Sequence, residues 1–213
     1  MELATVLRQR CFPSAMNDWI MANKDVVGCR FCIADNSRSM MARDGHELII
    51  SSSTDSVVSE AESCTRWKEL SVSVETMISI ADAAQTPVEL TLLNTALSPT
   101  VVGSKVDGGI SLDAARALLR TKPTGQTPIC GKVRYVIARL KSMEADLRAV
   151  KKLAVVILLT DGESTDGDAA EAMKPLEALP CRVVIRICTT ESAVTEVQLF
   201  LRPSPLCCRA RVL

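Results

Sequence analysis

One histidine, His46, stands in a chain of 213 residues. A Ser–His triad or a histidine-bound zinc would rest wholly on that side chain, which lies in a polar stretch and reads as a surface residue. Charge of one sign is missing as well. The 25 lysines and arginines balance 25 aspartates and glutamates, so no global basic field is available for nucleic acid or an anionic membrane surface. No apolar run approaches the ~18 residues of a membrane-spanning helix. The opening MELATVLRQRCF lacks the lysine-rich segment and long apolar run of a secretory signal. A reducing, cytoplasmic setting is the expectation. The nine cysteines are odd in number, and Cys29, Cys32 and Cys188 lie inside apolar strand patterns, where they read as small buried hydrophobes.

What is present is apolar sequence in short periodic blocks. Apolar residues make up 47% of the chain, enough for one sizeable domain with its own core. Residues 1–25 read as an N-terminal extension, in which Met16 to Ala22 forms a short amphipathic helix or turn whose Trp19 and Ile20 cover the core edge. Cys29 to Ala34 is a strand apolar on both faces, as in a parallel sheet covered by helices. Residues 42–64 are rich in serine and acids without helical period and read as a long polar surface loop, with ELII as a short strand or turn at most.

Thr65 opens a helix, and Trp67, Leu70, Val74, Met77, Ala81 and Ala84 recur along one stripe until Pro87 stops it. Val88 to Leu93 is the next strand, Val101-Val102 a short edge strand, and Ser111 the N-cap of a helix from Leu112 to Arg120. In PTGQTP, Thr127 fits an N-cap and Pro128 the first position of a long helix lined by Ile129, Val133, Ile137, Leu140, Leu147 and Val150. Leu153 to Leu159 is the most hydrophobic strand. An acidic turn follows it, then a helix from about Ala169 to Ala178, a strand from Arg182 to Cys188 and a last helix from Val194 to Leu201. Residues 202–213 form an irregular tail. Strands alternating with helices predict a three-layer α/β/α sandwich on a Rossmann-like, mostly parallel central sheet.

Two strand ends carry the chemistry. In the stretch FCIADNSRSM, Asp35, Ser37 and Ser39 are spaced to point to one side of an extended backbone just past a buried strand. Oxygen-only groups of this kind suit a hard cation such as Mg²⁺. LLTDGES places Asp161 at the mouth of a second apolar strand. Ligands of open α/β sheets bind beyond the carboxyl ends of strands, where these residues lie.

The ordered set DNSRS (35–39), Thr127 in PTGQTP and Asp161 in LLTDGES resembles the von Willebrand factor A (vWA, integrin I-like) family over roughly residues 26 to 201. The resemblance implies a metal-ion-dependent adhesion site in which Asp35, Ser37, Ser39, Thr127 and Asp161 hold the ion. That ion is usually Mg²⁺, with Mn²⁺ or Ca²⁺ as substitutes, and it accepts an acidic side chain from a partner protein. Such a chain is a binding module rather than an enzyme. Arg38 stands where the family often has glycine, and RPSPLCCRARVL resembles neither the sixth strand nor the closing helix that the family adds, so that end reads as incomplete.

Three competing readings share these residues. Cys32 to Ser39 fits the cysteine-phosphatase pattern C-x5-R-S, but Phe31 replaces the usual histidine and IADNS offers no glycine to cradle phosphate. Asp161 to Asp168 lacks the spacing and distal glutamate of an EF-hand and reads as an acidic turn capping the next helix. A degenerate domain with a structural role would keep the fold without the ion.

Overall fold

The computed structural model describes residues 2–10, 12–53, 56–95, 99–103 and 109–189. Its centre is a five-stranded sheet made of β1 (Val27–Ala34), β4 (Val88–Leu92), β5 (Thr100–Val102), β6 (Leu153–Thr160) and β7 (Cys181–Ile187), in the order β5-β4-β1-β6-β7. The pairs β1–β4, β1–β6 and β6–β7 are parallel, and among these strands only β5 runs antiparallel to its neighbour. The inner strands β1, β4 and β6 are largely buried on both faces because their side chains alternate between two apolar layers. Cys32 and Ala34 of β1 meet Trp67, Leu70, Val74 and Ile78 of α3 (Arg66–Ala83), with Ala115 and Leu119 of α4 (Leu112–Leu119) beside them. Cys29, Phe31 and Ile33 meet Val133, Val136, Ile137 and Leu140 of α5 (Ile129–Ala149) on the opposite side. The result is the expected three-layer sandwich.

This layering sets where a ligand can bind. The chain leaves β1 toward α3 on one face, and leaves β6 for α6 (Ala169–Met173) and a 3-10 turn (Lys174–Ala178) on the other. Adjacent parallel strands with connections on opposite faces open a crevice at their carboxyl ends. Asp35 and Asp161 follow those two strands.

The helix signals are realised at α3 and α4. The Thr65 hydroxyl accepts from the Lys68 N–H at 3.1 Å, and the Ser111 hydroxyl from Ala114 at 3.2 Å. Four expectations need correction. Residues 42–64 are not a loop: β2 (Gly45–Ser53) and β3 (Ser56–Cys64) pair as an antiparallel hairpin in register from Gly45 opposite Cys64. Local antiparallel pairing satisfies the backbone whatever the faces carry, so the polar composition hid it. Trp19 does not cover the core. The helix α2 (Ser14–Asn23) forms, but it buries none of its residues and leaves Trp19 66% exposed. Instead α1 (Leu3–Gln9), inside the supposed extension, buries Leu3, Val6 and Leu7 and packs on α3. Val150 does not line the α5 face; it ends that helix and is exposed. Thr127 is not the N-cap of α5, whose first residue is Ile129. The expected helix 194–201 and the tail 202–213 lie outside the described residues.

Candidate metal centre

At the end of β1 the Asp35 N–H still pairs with the Leu159 carbonyl of β6, at 2.9 Å. Its side chain is fully buried. Oδ1 accepts the Ser37 N–H at 2.8 Å, which folds the chain back on itself, and Oδ2 accepts the Thr160 hydroxyl at 2.6 Å. Burial pushes the Asp35 carboxyl above its ordinary range; bonds from Ser37 and Thr160 oppose that rise, and nearby Asp161 adds to it. The Ser37 and Ser39 hydroxyls lie 2.9 Å apart, and Ser39 donates to Asp161 Oδ1 at 2.9 Å. A hydroxyl has one proton. With that of Ser39 committed to the carboxylate, Ser37 is the donor between the two serines. Four of the five expected residues are thus joined in one cluster.

Thr127 enters through the backbone. It is buried, its carbonyl accepts from the Thr165 N–H at 2.9 Å, and its hydroxyl is not part of the bonded cluster. Its loop is fastened to the Asp35 turn by two backbone bonds, Thr124 N–H to the Asn36 carbonyl at 2.8 Å and Arg38 N–H to the Gly125 carbonyl at 3.2 Å. Side chains complete the fastening. Asn36 bonds the backbone of Asn94 through both its oxygen and its nitrogen, and Asn94 donates to the Gln126 carbonyl at 2.6 Å. Gly125 is required here: its φ is +83°, and a Cβ at this position would fall 2.5 Å from Asn94 Oδ1.

The acidic turn after β6 has two capping roles. Asp168 caps α6, as expected, by accepting from Ala170 and Glu171. Asp166 takes the place intended for Thr127, accepting the N–H groups of Cys130 and Gly131 at 2.9 and 2.8 Å at the start of α5. A carboxylate brought from a distant loop gives no signal in the residues just before a helix.

The sequence offers equally little notice of Arg66. It is the first residue of α3, a position usually solvated, yet it is 5% exposed. Its Nη1 donates to Asp161 Oδ2 at 2.9 Å, while Nε and Nη2 grip Asp44 in a two-pronged bond at 2.7 Å each. The Asp44 grip holds that carboxyl below the usual range. Gly45 lets the hairpin come this close, since a Cβ there would lie 2.8 Å from the Thr65 carbonyl oxygen. Arg38 is exposed on the 3-10 turn Arg38–Met41, so the cation at the site is Arg66.

The donor chemistry fits a hard divalent ion. Two carboxylates and two hydroxyls converge, and Ser39 gives its proton to Asp161 while keeping lone pairs for a cation. Among the described residues no three His, Cys, Asp or Glu side chains gather, so softer metals have no alternative nest there. His46 is exposed on the hairpin. The phosphatase reading has no support: Cys32 is fully buried in the α3 layer, and burial pushes its thiol up to about 12.

No family model matches the sequence, and no curated protein matches it. Solved structures do. The SpRpn10 VWA domain superposes with a TM-score of 0.53 at 13% identity, over 85% of this chain and 86% of that one. The chain has the vWA fold. BatB from Bacteroides thetaiotaomicron, a conserved hypothetical protein, gives 0.50 at 18% identity, over 75% of this chain and 66% of its own. The proximal thread matrix protein 1 of the mussel byssus is matched over only 38% of its length, with a TM-score of 0.48. The vWA fold puts the β1 and β6 ends at the crevice where the cluster lies.

Proposed function

We propose that this vWA-fold chain is a protein-binding module in which Asp35, Ser37, Ser39, Thr127 and Asp161 hold a divalent cation, Mg²⁺ in the first instance. The observation that carries this reading is the Asp35–Ser37–Ser39–Asp161 cluster at the strand switch. A bound ion would supply a Lewis-acid centre able to accept an Asp or Glu side chain of a partner. The chain's own residues do the rest. Asp35, oriented by Thr160 and the Ser37 N–H, carries charge that burial makes costly without a counter-ion. Ser37 and Ser39 contribute neutral oxygens, which leave the ion under-neutralised and receptive to a carboxylate. A reducing, cytoplasmic setting is proposed for the chain, in which Cys29, Cys32, Cys64, Cys130 and Cys188 stay thiols.

Titration calorimetry with Mg²⁺ and Mn²⁺, comparing the wild type with Asp35→Ala, tests this. Saturable binding that is lost in the variant is the expected result, and equal heats would overturn it. The Arg66–Asp161 ion pair favours a second reading, a vWA domain that keeps its fold without the ion and serves a structural role. Wild-type protein that takes up no ion at millimolar concentration would select that reading.

A further inference from the structure

Arg66 is a buried cation already in place beside a proposed metal ligand. Its guanidinium is bonded to Asp161 Oδ2 at 2.9 Å and anchored by two further bonds to Asp44, and it sits at the fixed start of α3, where its own N–H donates to the Ala42 carbonyl at 3.0 Å. Three bonds and a capped helix start leave the head group little freedom. The guanidinium bridges Asp44 and Asp161, and Asp161 is shared between it on one oxygen and the Ser39 hydroxyl on the other. A buried carboxylate needs a partner charge or several donors. For Asp161 the chain supplies one internally.

We propose that Arg66 is a tethered counter-cation. It stabilises Asp161 when no divalent ion is bound, and it lowers the affinity of the site for one by adding positive charge to the carboxylate that both would share. The proposal rests on the cation reading above and adds a regulatory element to it: the site binds its ion weakly and reversibly, and contacts that pull Asp44 or the hairpin away from α3 change that affinity. Asp44 lies in the segment leading into β2, so the Arg66–Asp44 ion pair links the hairpin to the proposed metal site.

Mn²⁺ binding to wild type and Arg66→Met, followed by the loss of the free-ion electron paramagnetic resonance signal, tests this directly. The variant is expected to bind at least tenfold more tightly. Uptake by Arg66→Met but not by wild type would support the counter-cation and overturn the proposed function of the native chain. Equal or weaker binding by the variant, with the wild type binding normally, would overturn the counter-cation and leave the proposed function standing. No binding by either would overturn both. Should Arg66→Met fail to fold, the ¹⁵N side-chain resonances of Arg66 in wild type provide a second measurement. Mg²⁺ is expected to shift them, and an ion that binds without moving them would overturn the proposal.

Discussion

Thr160 donates its hydroxyl to Asp35 at 2.6 Å, tying the ends of β6 and β1 together at the proposed metal site. Thr160→Val keeps the shape and removes the donor from a fully buried carboxylate. Leaving such an acceptor short of a partner costs about 1–3 kcal/mol. Urea unfolding of the metal-free chain is expected to show a loss of that size, and an unchanged midpoint would contradict the assigned bond.

Asp35 also predicts a pH dependence. Burial raises its pKa in the folded chain above the ordinary 3.8, so the native state holds this proton to higher pH than the unfolded state does. Metal-free stability should therefore fall as pH rises from that ordinary value through the raised one. Asp35→Asn removes the titration, and its stability curve is expected to lie flatter over that window. Parallel curves for the two proteins would contradict it.

Asp166 is expected to behave in the opposite sense. Burial alone would raise its pKa, but bonds from Ser164, Gly131 and Cys130 outweigh that and hold it below the usual range. Its contribution is present above the ordinary carboxylate value and lost as pH falls through the lowered one. Asp166→Ala removes the cap of α5, a loss of about 1 kcal/mol at neutral pH, readable by chemical denaturation.

Gly125→Ala would strain the backbone at φ +83° and crowd Asn94. A loss of about 1–2 kcal/mol is expected from backbone strain of this type, together with weaker metal binding, because the loop carries Thr127. A variant with wild-type stability would show that the loop relaxes freely.

Thiol accessibility separates the cysteines. Burial pushes Cys29 to about 11 and both Cys32 and Cys188 to about 12. These three should resist iodoacetamide at pH 8 until the protein unfolds, whereas half-buried Cys64 should be modified first among the four. Peptide mapping by mass spectrometry reads this out, and fast native labelling of Cys32 would refute its placement.

The layered fold was legible because apolar alternation and the stripe on α3 are properties of neighbouring residues. The same holds for Asp35, Ser37 and Ser39, whose spacing alone puts them on one side. Asp161 was legible as an acid ending an apolar strand. Arg66 was not, because its burial depends on carboxylates 22 and 95 positions away, and an arginine opening a helix looks solvated in isolation. Asp166 escaped for the same reason, lying 36 positions from the helix end it caps. Trp19 shows the reverse failure: an apolar residue suggested burial that no element among the described residues provides.

The position of β1 inside the sheet has a consequence for exchange with solvent. The Asp35 amide is held by the Leu159 carbonyl, and the Leu93 amide by the Ala34 carbonyl, between strands that have partners on both sides. Releasing those protons requires separating the inner strands, which amounts to opening the molecule as a whole. Their deuterium uptake should follow the global unfolding free energy, whereas the hairpin amides can exchange by opening one local pair. The floor of the site is therefore held as firmly as the whole fold, and any adjustment to an ion or a partner falls to the segments around its rim.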